Sequence, residues 1–261
     1  MKVKHWLKGM ILFIIFSGCM YSGGYMKETD GIILKIKKSK ETDARQIKVQ
    51  VCTDNIIHIL ASAGNSFSTR PSLIVDKTNW QPVPWTVQEN GEQVEISTAK
   101  ITVRVHTGKG TISFYDTKGQ LLLQERADSS KIITPAVVMG EQTNHIQQIF
   151  DDSPVTEAFY GLGAHQNAVM NYKGHDVDLW QYNIVDINPF LVSNKNYGIL
   201  WDNNSHTKIG DIREYQSISS LKLYSQDGTE GGLTAEYFKD RDFKSLHTSR
   251  VEQESNTSSL M

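Results

Sequence analysis

Few side chains in this sequence stand at spacings that do chemistry by themselves. Asp151 and Asp152 are adjacent carboxylates. General acid/base work needs both groups facing one space, and neighbours on an extended strand point to opposite faces. The pair therefore reads as a turn or a solvated loop. His165 and His175 could form a proton-transferring pair, but a separation of ten residues fixes no mutual geometry. No third ligand stands at a spacing that would complete a metal site with them. Cys52 ends the strand-like run Val49-Gln50-Val51-Cys52 and reads as a small buried hydrophobe, with a nucleophilic thiol as the sharper alternative.

Cys19 carries a different chemistry. Lys2, Lys4 and Lys8 precede a short apolar run, Met10 to Phe16, too short to span a bilayer. Phe16-Ser17-Gly18-Cys19 follows, and small residues directly before a Cys resemble the bacterial lipobox. In that reading residues 1–18 are a signal peptide, Cys19 is lipidated, and residues 19–29 are a tether whose Met20–Gly24 part bears Ser and Gly. The expected place is the bacterial cell envelope, with the membrane as a partner through the lipid on Cys19. An ordinary signal peptide with an incidental Cys is the alternative. Cys52 is then left alone, so no internal disulfide is expected. The whole chain has 27 Lys and Arg against 29 Asp and Glu, net −2. Residues 1–18 hold three of the lysines and no acid, so the remainder carries 24 basic and 29 acidic residues, net −5. Nothing in that balance favours nucleic acid or an anionic membrane surface as a partner.

The elements that would position these groups read as strands. Gly31–Lys37 opens the fold, and Gln46–Ala61 contains two alternating runs joined at Thr53-Asp54-Asn55. Val94–His106 alternates with period two, and Thr111–Glu125 has a turn at Asp116–Gly119. Lys131–Met139 and His145–Phe150 continue the pattern. No helical stripe longer than two turns interrupts it. Such a chain predicts an all-β sandwich of antiparallel sheets, each with one wet and one dry face.

Two motifs carry a resemblance. Tyr160-Gly161-Leu162-Gly163-Ala164-His165-Gln166 is followed by Pro189-Phe190-Leu191-Val192-Ser193 and then Tyr197-Gly198-Ile199-Leu200-Trp201-Asp202-Asn203. In order and spacing they resemble the N-terminal β-sandwich of glycoside hydrolase family 31, the α-glucosidases and α-xylosidases. The phrase Val49–Ser62 matches the start of the same domain, and the resemblance covers roughly residues 30–225. It implies a galactose-mutarotase-like supersandwich over residues 30–228. The implied family reaction removes α-linked glucosyl or xylosyl residues from oligosaccharide ends, with retention and without a cofactor. Retention uses two carboxylates about 5 Å apart. In the family both are Asp residues on a catalytic barrel, to which no acidic residue here corresponds, so no catalytic residue is assigned. The resemblance also implies that the loop Gln181–Asn188 reaches over the barrel mouth toward the sugar. Asp186 and Asn188 are the candidate substrate-binding residues, since carboxylate and amide groups bind paired hydroxyls. Trp180 and Tyr182 would stack on a sugar face or pack between sheets. His165 would help to shape the sugar pocket, or be buried and satisfied by backbone. Many members have Glu or Gln where Ala164 stands, so a polar role is not carried over there. Asp202 reads as a cap.

Ser225–Gly232 reads as a linker. Leu233–Phe243 after it resembles the opening strand of a protective-antigen-type β-barrel, a sugar-binding module, here an incomplete second β-module over residues 229–261. About thirty residues cannot bury a core of their own. Val251–Met261 is polar, without a closing strand pattern. The expectation is the N-terminal, non-catalytic portion of a surface-anchored retaining α-glycosidase, cut short before the barrel of the intact family member and inactive alone. Its partner would be an oligosaccharide or polysaccharide. Two alternatives stand beside it: a non-catalytic glycan-binding lipoprotein, and a sugar epimerase using a His and a carboxylate on the same sandwich.

Overall fold

The computed structural model describes residues 21–22, 24–37, 40–77, 79–210 and 222–252. Cys19, residues 1–18, expected to be a signal peptide, and residues 253–261 lie outside the described residues. Among the described residues every regular element is a strand. The chain divides into two compact units, residues 1–209 and 210–261. The second unit starts ahead of residue 229, where linker composition placed the start of the module.

In the first unit, β1 (Tyr21–Ser22), β2 (Tyr25–Glu28), β3 (Gly31–Lys35), β4 (Gln46–Thr53) and β5 (Ile56–Ser62) hydrogen-bond in chain order into an antiparallel sheet. Part of the segment expected to be a tether therefore belongs to the fold. Tyr25 is buried and pairs with Leu34, which gives β2 an apolar anchor. A second meander follows: β6 (Thr86–Asn90), β7 (Gln93–Ser97), β8 (Thr102–His106), β9 (Ile112–Tyr115) and β10 (Leu121–Gln124). The period-two run Val94–His106 spans two strands, β7 and β8. Thr98 turns the chain: its N–H donates to Ile101 O at 3.0 Å and its Oγ1 to Asp54 O at 2.6 Å.

The two meanders share one core. Ile32, Leu34, Ile47 and Val49 belong to the same apolar cluster as Val94, Ile96, Val103, Val105 and Ile112. The alternation explains why: Val103 and Val105 point inward from β8 while Arg104 between them reaches Glu95 on β7 at 2.8 Å.

β11 (Lys131–Val138) and β12 (Glu141–Gln148) form a two-stranded ribbon. Its turn is Met139-Gly140, both with positive φ, the two-residue hairpin turn whose twist suits the strands. The base of the ribbon is pinned by a buried ion pair between Lys131 and Glu125. Glu125 Oε2 also accepts from Ser130 Oγ at 3.1 Å and Ile112 N at 3.0 Å, and Lys131 Nζ donates to Gly110 O at 3.1 Å. Burial pushes the carboxyl of Glu125 up and the ammonium of Lys131 down. The surrounding donors and acceptor oppose that desolvation and leave none of the three groups around Glu125 Oε2 without a partner.

A three-stranded sheet closes the first unit. β13 (Phe159–Ala164) pairs with β15 (Asp186–Ser193), which pairs with β16 (Tyr197–Leu200). Beside it, β14 (Val177–Leu179) pairs with β17 (Thr207–Ile209). These strands have their own core of Leu162, Tyr172, Val177 and Leu179. In the second unit, β18 (Leu233–Phe238) and β19 (Leu246–Glu252) form a ribbon.

Candidate functional site

The Gly161-Leu162-Gly163 turn sets the geometry of the site. Three consecutive residues have positive φ, at 102°, 64° and 99°. The pairing steps from Gly161↔Leu191 to Gly163↔Ile187, so three residues of β15 stand opposite Leu162 alone. Pro189 sits in this irregularity, a place where the missing N–H of a proline is tolerated in a central strand. Both glycines are required. A Cβ on Gly161 would lie 2.3 Å from Phe190 O, and one on Gly163 1.9 Å from Asp186 O. Leu162 has no such freedom, and a left-handed conformation costs it about 1–2 kcal/mol. Its side chain is 1% exposed in the second core, and burying a leucine returns about 1.5–3 kcal/mol. Burial therefore wins, and the strand swerves.

The swerve and a side-chain clamp fix the loop between β14 and β15. Gln181 Oε1 accepts the Ile187 N–H at 2.9 Å, and Gln181 Nε2 donates to Val185 O. Tyr182 and Val185 form an isolated bridge across the turn. Beyond the clamp, β15 alternates regularly. Asp186, Asn188, Phe190 and Val192 lie on its exposed face, and Ile187, Leu191 and Ser193 face inward. Among the described residues no side-chain hydrogen bond engages Asp186 or Asn188, so both keep their capacity for hydroxyl partners. Cross-strand neighbours extend this face: Tyr160 pairs with Val192 and Leu200 with Phe190, all exposed. The face thus has a polar end, Asp186 and Asn188, and an apolar end.

The other residues singled out by sequence fall as follows. His165 is half-buried; its Nε2 lies 2.9 Å from Leu162 O, and its ring packs edge-on against Tyr172 at 5.9 Å. The backbone of the turn thus engages one ring nitrogen. His175 is exposed in the turn after Tyr172. Trp180 is 57% exposed at the end of β14, edge-on to His206 at 5.0 Å. Asp151 and Asp152 are exposed outside any strand, and Asp151 Oδ2 accepts from Gln124 Nε2 at 2.6 Å. Asp202 holds a loop: its Oδ1 accepts from Ser72 Oγ at 2.7 Å, and Ser72 Oγ in turn accepts from Val75 N at 2.8 Å. Cys52 is buried in β4, and burial pushes its thiol up, away from the reactive thiolate.

Sequence reasoning missed two groups. Glu157 is buried where β15 turns into β16, accepting from Ser193 Oγ at 2.5 Å and Tyr197 OH at 2.7 Å. Burial and the bond to Glu157 push the Tyr197 phenol up. The second group is Asp178, which hydrogen-bonds to His206. Strand pairing alone unites partners that lie 28 residues apart.

The first unit is thus an all-β sandwich in which the glycine swerve of β13 runs beside β15, and β15 carries an acid and an amide on its exposed face. Residues 46–209 match the family described as "Glycosyl hydrolase 31 N-terminal galactose mutarotase-like domain", and the chain belongs to that family. An α-xylosidase of Saccharolobus solfataricus is 29% identical over 193 residues, which is 70% of this chain and 25% of that protein. The crystal structure of a family 31 α-xylosidase from Xanthomonas citri superposes with a TM-score of 0.63 at 36% identity, covering 87% of this chain and 24% of that one. A family 31 dextranase of Flavobacterium johnsoniae, solved with isomaltotriose, shares the fold with a TM-score of 0.53 at 23% identity, over 73% of this chain and 23% of that one. The chain therefore spans about a quarter of the length of these relatives.

Proposed function

We infer that the chain is the N-terminal, non-catalytic portion of a surface-anchored retaining α-glycosidase, an α-xylosidase or α-glucosidase acting on oligosaccharides. The observation that carries this reading is the 36% identity to the Xanthomonas citri α-xylosidase over 87% of the chain, a span that is 24% of that enzyme. Asp186 and Asn188, stapled in place by Gln181 and exposed on one strand face, support a role in holding sugar hydroxyls. His165 would shape the same region from the glycine turn. The isomaltotriose held by the dextranase supports a carbohydrate partner. Cys19 would carry the lipid, and residues 229–261 would be the start of a sugar-binding module.

A second reading, a glycan-binding lipoprotein, is favoured by the exposed rings of Trp180, Tyr182 and Tyr160. The two readings share the carbohydrate and the anchor. Replacing Cys19 with Ala should release the protein from the membrane fraction, and retention after a high-salt wash would end the anchoring claim. Purified chain should release no nitrophenol from 4-nitrophenyl α-xyloside or α-glucoside. Turnover above a buffer blank, in a preparation free of host glycosidases, would overturn the non-catalytic assignment.

A further inference from the structure

The ribbon of β14 and β17 joins Trp180, one of the exposed rings named above, to two side chains that the reading above does not use, Asp178 and His206. Val177 and Leu179 turn into the second core, so alternation sends Asp178 and then Trp180 to the outer face. Lys208 pairs with Asp178 across the ribbon and is also exposed. His206, just before β17, lies between the other two: its Nε2 is bonded to Asp178 Oδ1 and its ring stands 5.0 Å from the indole at an interplanar angle of 65°. The imidazole therefore braces the indole from one side while the carboxylate holds the imidazole. Trp180 remains 57% exposed and the side chains of Asp178 and His206 are about half exposed.

An indole braced on one side is a flat apolar platform, and each rotamer that the brace excludes lowers the ordering cost that binding would otherwise carry. Beside it stand two unequal polar atoms. Among the described residues nothing engages Asp178 Oδ2 or His206 Nδ1. The first accepts a hydrogen bond. The second accepts as well when the proton sits on Nε2, the tautomer that the bond to Asp178 selects. A flat ring with one apolar face and hydroxyls around its edge satisfies the platform and both atoms at once.

We propose that Trp180, Asp178 and His206 form a binding site for one pyranose ring of a neutral oligosaccharide, with the sugar stacked on the indole and its hydroxyls donating to Asp178 and His206. The proposal rests on the carbohydrate reading above but needs no catalytic barrel. The site would let this chain hold glycan by itself.

The test is affinity electrophoresis of the full chain, kept in mild detergent, through gels containing dextran or xyloglucan. The wild type should be retarded in at least one of them. Trp180→Ala should weaken the retardation roughly tenfold, and Trp180→Phe should restore part of it. Asp178→Asn should weaken it while the melting temperature stays that of the wild type. In a chain carrying ¹⁵N-labelled indoles, isomaltotriose should move the Trp180 N–H signal, assigned by its absence in Trp180→Phe. The site is overturned if the wild type runs freely in both gels, if Trp180→Ala runs as the wild type does, or if only other indoles respond. Failure here with no nitrophenol release removes the site and leaves the non-catalytic reading intact; nitrophenol release overturns that reading whatever the gels show.

Discussion

Gln181 closes its own loop on Ile187: the side-chain oxygen accepts the Ile187 N–H at 2.9 Å, and the same amide's nitrogen donates to Val185 O. One side chain thereby supplements the isolated Tyr182–Val185 bridge across the turn that delivers Asp186. Gln181→Ala should leave the sandwich intact and loosen this loop alone. Hydrogen exchange at the Ile187 amide should speed up roughly fivefold, since one such bond is worth about 1 kcal/mol net. Unchanged protection at Ile187 would show that the clamp does not order the loop.

The swerve of β13 rests on two residues without side chains. Gly161→Ala and Gly163→Ala each combine positive φ with a Cβ closer than 2.5 Å to a carbonyl oxygen of β15. Each should cost about 3 kcal/mol or more. Denaturant unfolding measures it, and a loss below about 1 kcal/mol would mean that the backbone does not approach so closely.

Glu125 and Lys131 should behave as a unit. Removing one partner leaves a buried charge uncompensated, so Glu125→Ala or Lys131→Ala should each lose about 3–5 kcal/mol. The pair Glu125→Leu with Lys131→Met replaces both by apolar groups of similar volume and should recover most of that loss. Additive losses in the double variant would contradict a coupled pair.

His58 sets a pH dependence. Burial holds its folded-state value below the ordinary 6.5, with Asp202 opposing and Lys48 assisting. Nδ1 lies 3.1 Å from Gln50 Oε1, and Gln50 Nε2 donates to Asp30 Oδ2 at 2.6 Å. The unfolded chain takes up a proton near 6.5 while the folded chain does not. The contribution is therefore present above that value and is lost as the pH falls toward the lower folded value. Stability should decline in this window, and His58→Gln should flatten the decline. An identical slope in the variant would assign it to other groups.

The sandwich was legible in sequence because its core is local in character. β7 and β8 alternate so regularly that inward residues can be read from spacing alone, and β4 does so between Ile47 and Val51. The glycine turn was legible for a similar reason, since two glycines around one leucine need a backbone cause. The break at Thr98 was not, because no Gly or Pro marks it; a threonine hydroxyl bonded to Asp54 O makes the turn. Tyr25 was read as part of a tether, since a four-residue strand between turns carries little pattern. The Lys131–Glu125 and His206–Asp178 pairs were invisible because each depends on strands whose pairing sequence spacing does not state. Asp186 and Asn188 were singled out through motif resemblance alone, and the Gln181 clamp that fixes their loop was not read from sequence.

The most direct measurement is a search for a covalent glycosyl adduct. A retaining glycosidase forms an ester between the sugar and one of its own carboxylates. Purified chain incubated with 5-fluoro-α-xylosyl fluoride and 5-fluoro-α-glucosyl fluoride should keep its mass in intact-protein mass spectrometry. A gain of one fluoroglycosyl group, mapped to an Asp or Glu of this chain, would show a nucleophile within the sandwich and contradict the account.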